Sequence, residues 1–371
     1  MASYEDHFPV YFEYCAGTQW KLQNGEIGGT PGHGFTYIHG LCKDYSSDYP
    51  QVVPCDQVSR TQSRKYHHDG VGISLDKNFT NVIWVAVPGR ERMMFGNTER
   101  RPISHEDIEV HLKKMVELKV FNGVISKSDK LTQLAFGNKK YLEAMALDTV
   151  GTDHAVNWAR ELHCVRIPTP KKALIEVAKF LNESNNQYRP DRKYEWSKLS
   201  NNCVHLSLNS SHAMGLNKSV QVDQKYLKML LNLALPANAF MMYADKAVLA
   251  KAPSNKLLSK ILPRKGFHEV QVGSLMNVYK AYPSGDYFNN EELEVMTAPR
   301  LSTPLRLLAT PRKYAKKYLK PENSELKVNA QAWIERYQLL LDKLKPSQKG
   351  GLIENYLVEQ LKISKKIASE E

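Results

Sequence analysis

The stretch "SNNCVHLSLNSSHAMGL", residues 200–216, places a cysteine where a polar run gives way to a helical pattern. Asn201 and Asn202 precede Cys203, and asparagine is a preferred N-cap residue of helices. Gly215 supplies a common C-terminal stop signal at the other end. The stretch therefore predicts a short helix that begins at Cys203.

A cysteine in the first turn of a helix has two interpretations. Cysteines are among the most buried residues, so Cys203 is a candidate for an ordinary core position. The same position also suits a nucleophile, because the unpaired N–H groups and the helix dipole favour a thiolate and can bind an oxyanion. The catalytic interpretation requires an imidazole and a group that orients the imidazole.

The histidines of the chain differ in how well they can meet this requirement. His33 in "GTPGHGFTYIHG" follows a Pro-Gly turn and opens a predicted strand, where it can face a helix packed on the sheet. His205 is two residues beyond Cys203 on the same helix, so it points to a different side. His212 is nine residues beyond and lies too far along the helix axis. Geometry therefore favours His33 as the base, with a turn or core histidine as the alternative.

The remaining pattern predicts an α+β protein with two regions. Short strand patterns and helices alternate in residues 1–216, whereas residues 217–371 are mostly amphipathic helix. The strand patterns cover residues 33–42, 70–76, 81–89 and 164–168, and the helix patterns cover 104–121, 170–185, 302–320, 329–345 and 350–371.

Composition limits the class of protein. The chain has 371 residues, 42% of them hydrophobic, which is typical of a globular protein with a substantial core. No segment reaches the ~20 apolar residues of a membrane span, and no Sec signal peptide is recognisable. The five cysteines are widely spaced and form no zinc-ligand pattern, so we expect reduced thiols in a reducing compartment, with no metal and no cofactor.

The chain is strongly basic, with a formal net charge of +12. Such a charge favours an anionic partner, either a membrane surface or a nucleic acid. No nucleic-acid-binding motif is present, so no nucleic acid is expected. The basic, leucine-containing helices near the C-terminus favour an anionic membrane surface instead.

Three motifs in a fixed order carry a family resemblance. "TPGHGFTYI", then "CVRIPTPKKALIEVAKFLNESN", then "YEWSKLSNNCVHLSLNSSHAMGL" resembles the circularly permuted branch of the NlpC-type, papain-like thiol hydrolases. In that branch the histidine strand precedes the cysteine helix along the chain. The resemblance covers residues 28–216, with long insertions between the motifs. It implies an antiparallel sheet packed on the nucleophile helix in residues 1–216, followed by the helical region 217–371.

The resemblance also implies site residues. Cys203 would be the nucleophile and His33 the general base. The third member would be a polar residue on a later strand, which fixes the imidazole tautomer. Several positions are candidates for this member, and the sequence does not choose among them: Asp76, Asp153, Ser74 and His39.

Two further residues have a binding role and a structural role as alternatives. Asn202, together with the amide of Cys203, is a candidate for stabilising an oxyanion, and it is equally a candidate N-cap. Tyr194 is a candidate for lining the substrate cleft, and it is equally a candidate core aromatic residue.

The function implied is a cysteine-dependent hydrolase or acyltransferase that acts on an amide or ester carbonyl. Relatives of this fold act on peptide amides, cell-wall amides and lipid esters or amides. The basic charge and the lack of a recognisable signal favour a cytoplasmic or lipid-facing role, and a bacterial effector delivered into a host cell is one form of it. The alternative is a non-catalytic interaction or anionic-membrane-binding protein that retains the fold.

Overall fold

One antiparallel sheet organises the computed structural model of the chain, which has an α+β architecture. The structure describes residues 4–17, 20–21, 27–28, 33–58, 70–75, 79–88, 119–120, 122–125, 162–188, 192–197, 201–216, 236, 239–244, 277–281 and 320–370. The strands are β1 (Tyr11–Gly17), β2 (Trp20–Lys21), β3 (Ile27–Gly28), β4 (His33–His39), β5 (Leu41–Lys43), β6 (Val52–Pro54), β7 (Gly70–Ser74), β8 (Val85–Pro88), β9 (Leu162–Pro168) and β10 (Asn277–Ala281). The helices are α1 (Tyr4–His7), α2 (Ala173–Asn186), α3 (Cys203–Ala213), α4 (Pro321–Ser324), α5 (Leu326–Asp342) and α6 (Leu352–Ser369), and two 3-10 turns cover Cys55–Gln57 and Pro346–Gln348.

The six-stranded sheet has the order β10-β9-β1-β4-β7-β8, and β2-β3 and β5-β6 form two small ribbons. All adjacent strands of the large sheet run antiparallel. The register of β1 on β4 pairs Tyr11 with His39 and Gly17 with His33, so His33 lies at one end of the sheet and His39 at the other. Strand β7 flanks β4 on its other side, which brings Ser74 near the His33 end.

Each face of the sheet has its own core, as the alternation of side chains along a strand requires. On one face, Phe12, Tyr14 and Ile38 belong to a cluster with Leu174 of α2 and Val204 of α3. This cluster fixes the cysteine-bearing helix α3 against β4. The α+β class with an antiparallel sheet is therefore confirmed.

On the opposite face, residues of the same strands pack against the C-terminal helices. Tyr11 and Tyr37 belong to a second buried cluster with Trp333 and Tyr337 of α5. Residues beyond 216 also reach the sheet directly, because β10 pairs with β9. The sheet therefore takes strands from both sides of the boundary expected at residue 216.

Most strand and helix patterns that fall on described residues correspond to observed elements. The pattern 329–345 lies on α5, and 350–371 lies on α6. The helix patterns 104–121 and 302–320 lie outside the described residues except at their ends. No described helix has the length and apolarity needed to cross a bilayer.

The expectation of reduced cysteines is wrong. All five cysteines are among the described residues, and four of them form the disulfides Cys15–Cys164 and Cys42–Cys55. Cys15 and Cys164 are 149 residues apart in sequence, but β1 and β9 place them directly opposite each other. The wide sequence spacing of the cysteines therefore did not indicate this cross-strand pair, and the cysteines no longer favour a reducing compartment. Cys203 alone keeps a free thiol.

Candidate active site

The cysteine-bearing helix begins as the sequence predicts. Cys203 is the first residue of α3, and Asn202 is its N-cap. The side-chain oxygen of Asn202 accepts hydrogen bonds from the N–H groups of Val204, at 2.9 Å, and His205, at 3.3 Å. Asn202 thus caps the helix, and its oxyanion role stays a prediction.

His205 completes a capping box on the same residue. Its Nδ1 lies 3.4 Å from the backbone nitrogen of Asn202. Burial lowers the pKa of His205 to about 4, so the ring is neutral near pH 7. His205 therefore belongs to the helix start, which agrees with the expectation that it does not serve Cys203.

The thiol of Cys203 meets the histidine strand at the residue after His33. The backbone N–H of Gly34 donates a hydrogen bond to Cys203 Sγ at 3.4 Å. Strand N–H groups lie in the plane of their sheet, so the sulfur lies near this plane at the edge of β4. The structure therefore brings Cys203 to the peptide that joins His33 to Gly34, across 169 residues of sequence.

Position 34 has no room for a side chain. A Cβ atom there would lie 2.6 Å from the hydroxyl oxygen of Tyr14 and 3.3 Å from a methyl carbon of Val204. Val204 is the neighbour of Cys203 on α3, so the missing side chain lets the helix start approach the strand. Gly34 thereby sets the distance between the thiol and the histidine strand.

His33 is the first residue of β4, and a serine holds its ring. His33 Nε2 lies 2.7 Å from Ser74 Oγ on the adjacent strand β7. The Ser74 hydroxyl also lies 3.4 Å from the carbonyl oxygen of Gly34, to which it donates. Among the candidates for the orienting residue, Ser74 is therefore in direct contact with the imidazole.

His39, another candidate for the third position, does not join this group. His39, at the far end of β4, has its Nδ1 2.6 Å from the carbonyl oxygen of Pro9, and its ring stacks on Tyr11 at 4.9 Å. Asp76 and Asp153 lie outside the described residues.

Tyr14 is a neighbour of the thiol that sequence analysis did not identify. Burial raises the pKa of Tyr14 well above the ordinary value, and the electrostatic interaction with Cys203 raises it further. Its hydroxyl donates to the carbonyl oxygen of Pro236 at 3.0 Å. The sequence does not indicate this neighbour, because Tyr14 reaches the thiol only through the pairing of β1 with β4.

Tyr194 supports the loop that leads into α3. Its side chain is 1% exposed, so it is a core aromatic residue, and its cleft-lining role stays a prediction. Its hydroxyl donates to the carbonyl oxygen of Asn201 at 3.0 Å, and its backbone nitrogen donates to Thr80 at 2.6 Å. Tyr194 thus positions the residues just before Cys203.

The site is enclosed by protein. Cys203 is 9% exposed and His33 is 7% exposed. A separate group of possible metal ligands within the described part of the chain consists of Glu13, Cys15 and Cys164. Its two sulfurs are joined in a disulfide, and Glu13 pairs with Arg166 at 2.8 Å, so this group is occupied by structural bonds.

The chain shows no significant similarity to a protein-family model, to a curated protein or to a solved structure. The geometry of Cys203, His33 and Ser74 and the resemblance of the motifs are therefore the basis for a functional proposal.

Proposed function

We propose that the chain is a cysteine-dependent hydrolase or acyltransferase of the permuted NlpC-type, papain-like class. The observation that supports this function most strongly is the hydrogen bond from the Gly34 N–H to Cys203 Sγ. It joins the free thiol, at a capped helix start, to the strand of His33. The resemblance of the motifs, in the same order, supports the same class.

His33 would act as the general base through its second ring nitrogen. Because Nε2 contacts Ser74, we propose that Nδ1 accepts the proton of the Cys203 thiol. Ser74 would then hold the ring in one orientation and stabilise the imidazolium that forms. Ser74 acts through His33 and is a positioning residue.

The reaction would proceed through a thioester. The Cys203 thiolate attacks an ester or amide carbonyl, and His33 returns its proton to the departing alcohol or amine. Water or a second acceptor, deprotonated by His33, then attacks the thioester and releases Cys203. Attack by water completes hydrolysis, and attack by an alcohol or amine completes acyl transfer.

The start of α3 offers one amide for the oxyanion. Asn202 already uses the N–H groups of Val204 and His205. The N–H of Cys203 makes no such bond to Asn202, and it belongs to the nucleophilic residue itself. We therefore assign the Cys203 N–H to the developing negative charge on the carbonyl oxygen.

Acylation by a simple aryl ester tests this proposal. We expect p-nitrophenyl acetate to acetylate the wild-type protein once, on Cys203, as detected by intact mass and peptide mapping. Cys203→Ser should lose the adduct because the other four cysteines are in disulfides. Ser210→Ala, a matched change at a buried α3 serine that bonds only within its helix at Leu206, should keep it.

The same experiment addresses the non-catalytic alternative. Absence of the acetyl-Cys203 adduct, combined with salt-sensitive binding to anionic vesicles that persists in Cys203→Ser, would favour a membrane-binding protein. Equal acetylation of the wild type and Cys203→Ser would contradict the proposed nucleophile.

A further inference from the structure

A cleft lies at the opposite end of the sheet from Cys203. It has a volume of about 620 Å³, which is within the range of small-molecule sites. Pro168 lines it and pairs with Tyr11, whereas His33 pairs with Gly17 at the other end of β1. Six residues of strand separate the two ends, a distance of about 20 Å. The cleft is therefore distinct from the candidate active site.

The walls of this cleft come from both regions of the chain and are largely apolar. Phe8, Pro168 and Leu174 contribute from the sheet side, and Tyr356 and Ile363 contribute from helix α6. Such a lining favours an apolar ligand body, because burial of apolar surface is the main driving force of small-molecule binding.

Two polar side chains in these walls have no hydrogen-bond partner. The hydroxyl oxygen of Thr169 and the side-chain oxygen of Gln360 are both unpaired in the described structure. Both residues line the cleft, and they are only 9% and 8% exposed. Buried polar atoms are nearly always hydrogen-bonded, so two unpaired oxygens in the same cleft indicate that a ligand supplies their partners.

The charges around the cleft favour a neutral ligand. Lys171 is paired with Asp56 at 2.7 Å, and Glu359 adds a further carboxylate. The other basic residue of the lining, His7, has its Nε2 3.0 Å from a carboxylate oxygen of Glu370, so the described lining residues leave no unpaired basic side chain to hold an anionic group. The oxygen of Gln360 can only accept, so the ligand must carry a hydrogen-bond donor.

We propose that this cleft, which we call the α6 cleft, binds a neutral and mostly apolar small molecule that carries an amide or hydroxyl group. The donor of the ligand would bond Gln360, and the Thr169 hydroxyl would pair with the same polar group. The apolar remainder would lie against Phe8, Tyr356 and Ile363. This inference does not depend on the function proposed for Cys203.

Benzamide is a suitable probe, and methyl benzoate is its matched control without a donor. We expect benzamide to bind the full chain at millimolar concentration in a ligand-observed NMR titration, as small fragments do. Thr169→Val and Gln360→Met keep the shape of each side chain and remove the polar group. Each should weaken benzamide about fivefold or more, the effect of one lost hydrogen bond.

Thr36→Val is the matched control variant, because the Thr36 hydroxyl is also buried and unpaired but does not line the cleft. It should leave benzamide affinity unchanged. All three variants remove unpaired buried polar groups, so we expect thermal midpoints equal to or above that of the wild type, which verifies folding. Failure of benzamide to bind the wild type, or equal affinity for wild type, Thr169→Val and Gln360→Met, would overturn the proposal.

Discussion

Gly34→Ala is the most specific perturbation of the contact between helix α3 and the histidine strand. The added Cβ would lie 2.6 Å from the Tyr14 hydroxyl oxygen, well inside the 3.4 Å at which ordinary contact begins. Tyr14 cannot easily move, because it is fully buried and its hydroxyl bonds Pro236. Overpacking of this kind costs about 1–3 kcal/mol of the free energy of unfolding.

The same variant should also slow the chemistry of the thiol. Relief of the clash moves β4 away from Tyr14 and Val204, which lengthens the 3.4 Å hydrogen bond from Gly34 to Cys203 Sγ. Loss of a hydrogen bond worth about 1 kcal/mol lowers the rate of Cys203 alkylation by about fivefold. Urea denaturation and iodoacetamide alkylation, measured on the same preparations, report the two effects.

Gly72→Ala on β7 is the matched control. The nearest atom to its added Cβ is a backbone oxygen of Val87 at 3.7 Å, so the new methyl group fits. We expect no loss of stability, or a gain of about 0.4–1 kcal/mol from the less flexible unfolded chain. Equal stability and equal thiol reactivity in Gly34→Ala and Gly72→Ala would refute the close approach deduced for Gly34.

Three further substitutions test other contacts. Ser74→Ala removes the 2.7 Å contact with His33 Nε2, a hydrogen bond worth about 1–3 kcal/mol if the imidazole is charged. Loss of this bond should slow Cys203 alkylation at pH 6 about tenfold, whereas Ser210→Ala should change the rate less than about twofold. Burial lowers the pKa of His205 from 6.5 to about 4, so the unfolded chain binds the extra proton. The free energy of unfolding should therefore fall by up to about 3 kcal/mol as the pH falls from 6.5 to 4. Urea denaturation of His205→Gln should show a smaller fall over the same pH range. Burial lowers the pKa of Lys43 from 10.5 to about 8, so Lys43→Met should raise the free energy of unfolding by up to about 3 kcal/mol at pH 7. This gain should shrink by pH 10.5, and a gain that is constant with pH would contradict the lowered pKa of Lys43.

The local parts of the site were predictable from the sequence. The asparagine before Cys203 and the helical pattern after it predict a capped helix start, because capping depends only on neighbouring residues. The Pro-Gly turn and the alternating aromatic residues likewise predict that a strand begins at His33. Both elements are present in the structure.

The contacts between distant segments were not predictable in the same way. The choice of Ser74 over His39 as the partner of His33 requires the register of β4 on β7. This register cannot be read from a single sequence. The Cys15–Cys164 disulfide requires the knowledge that β9 lies beside β1, although 149 residues separate the two cysteines. Long-range strand order therefore decides which polar residues become partners.

The most direct test of the central claim is the rate at which iodoacetamide alkylates Cys203 at pH 6, measured in wild type and His33→Ala. If His33 activates the thiol, the rate should fall at least about a hundredfold in His33→Ala. His39→Ala, a change at the other histidine of β4 whose Nδ1 contacts Pro9, should keep the wild-type rate. Equal rates for wild type and His33→Ala would contradict the claim that Cys203 and His33 act as a catalytic pair.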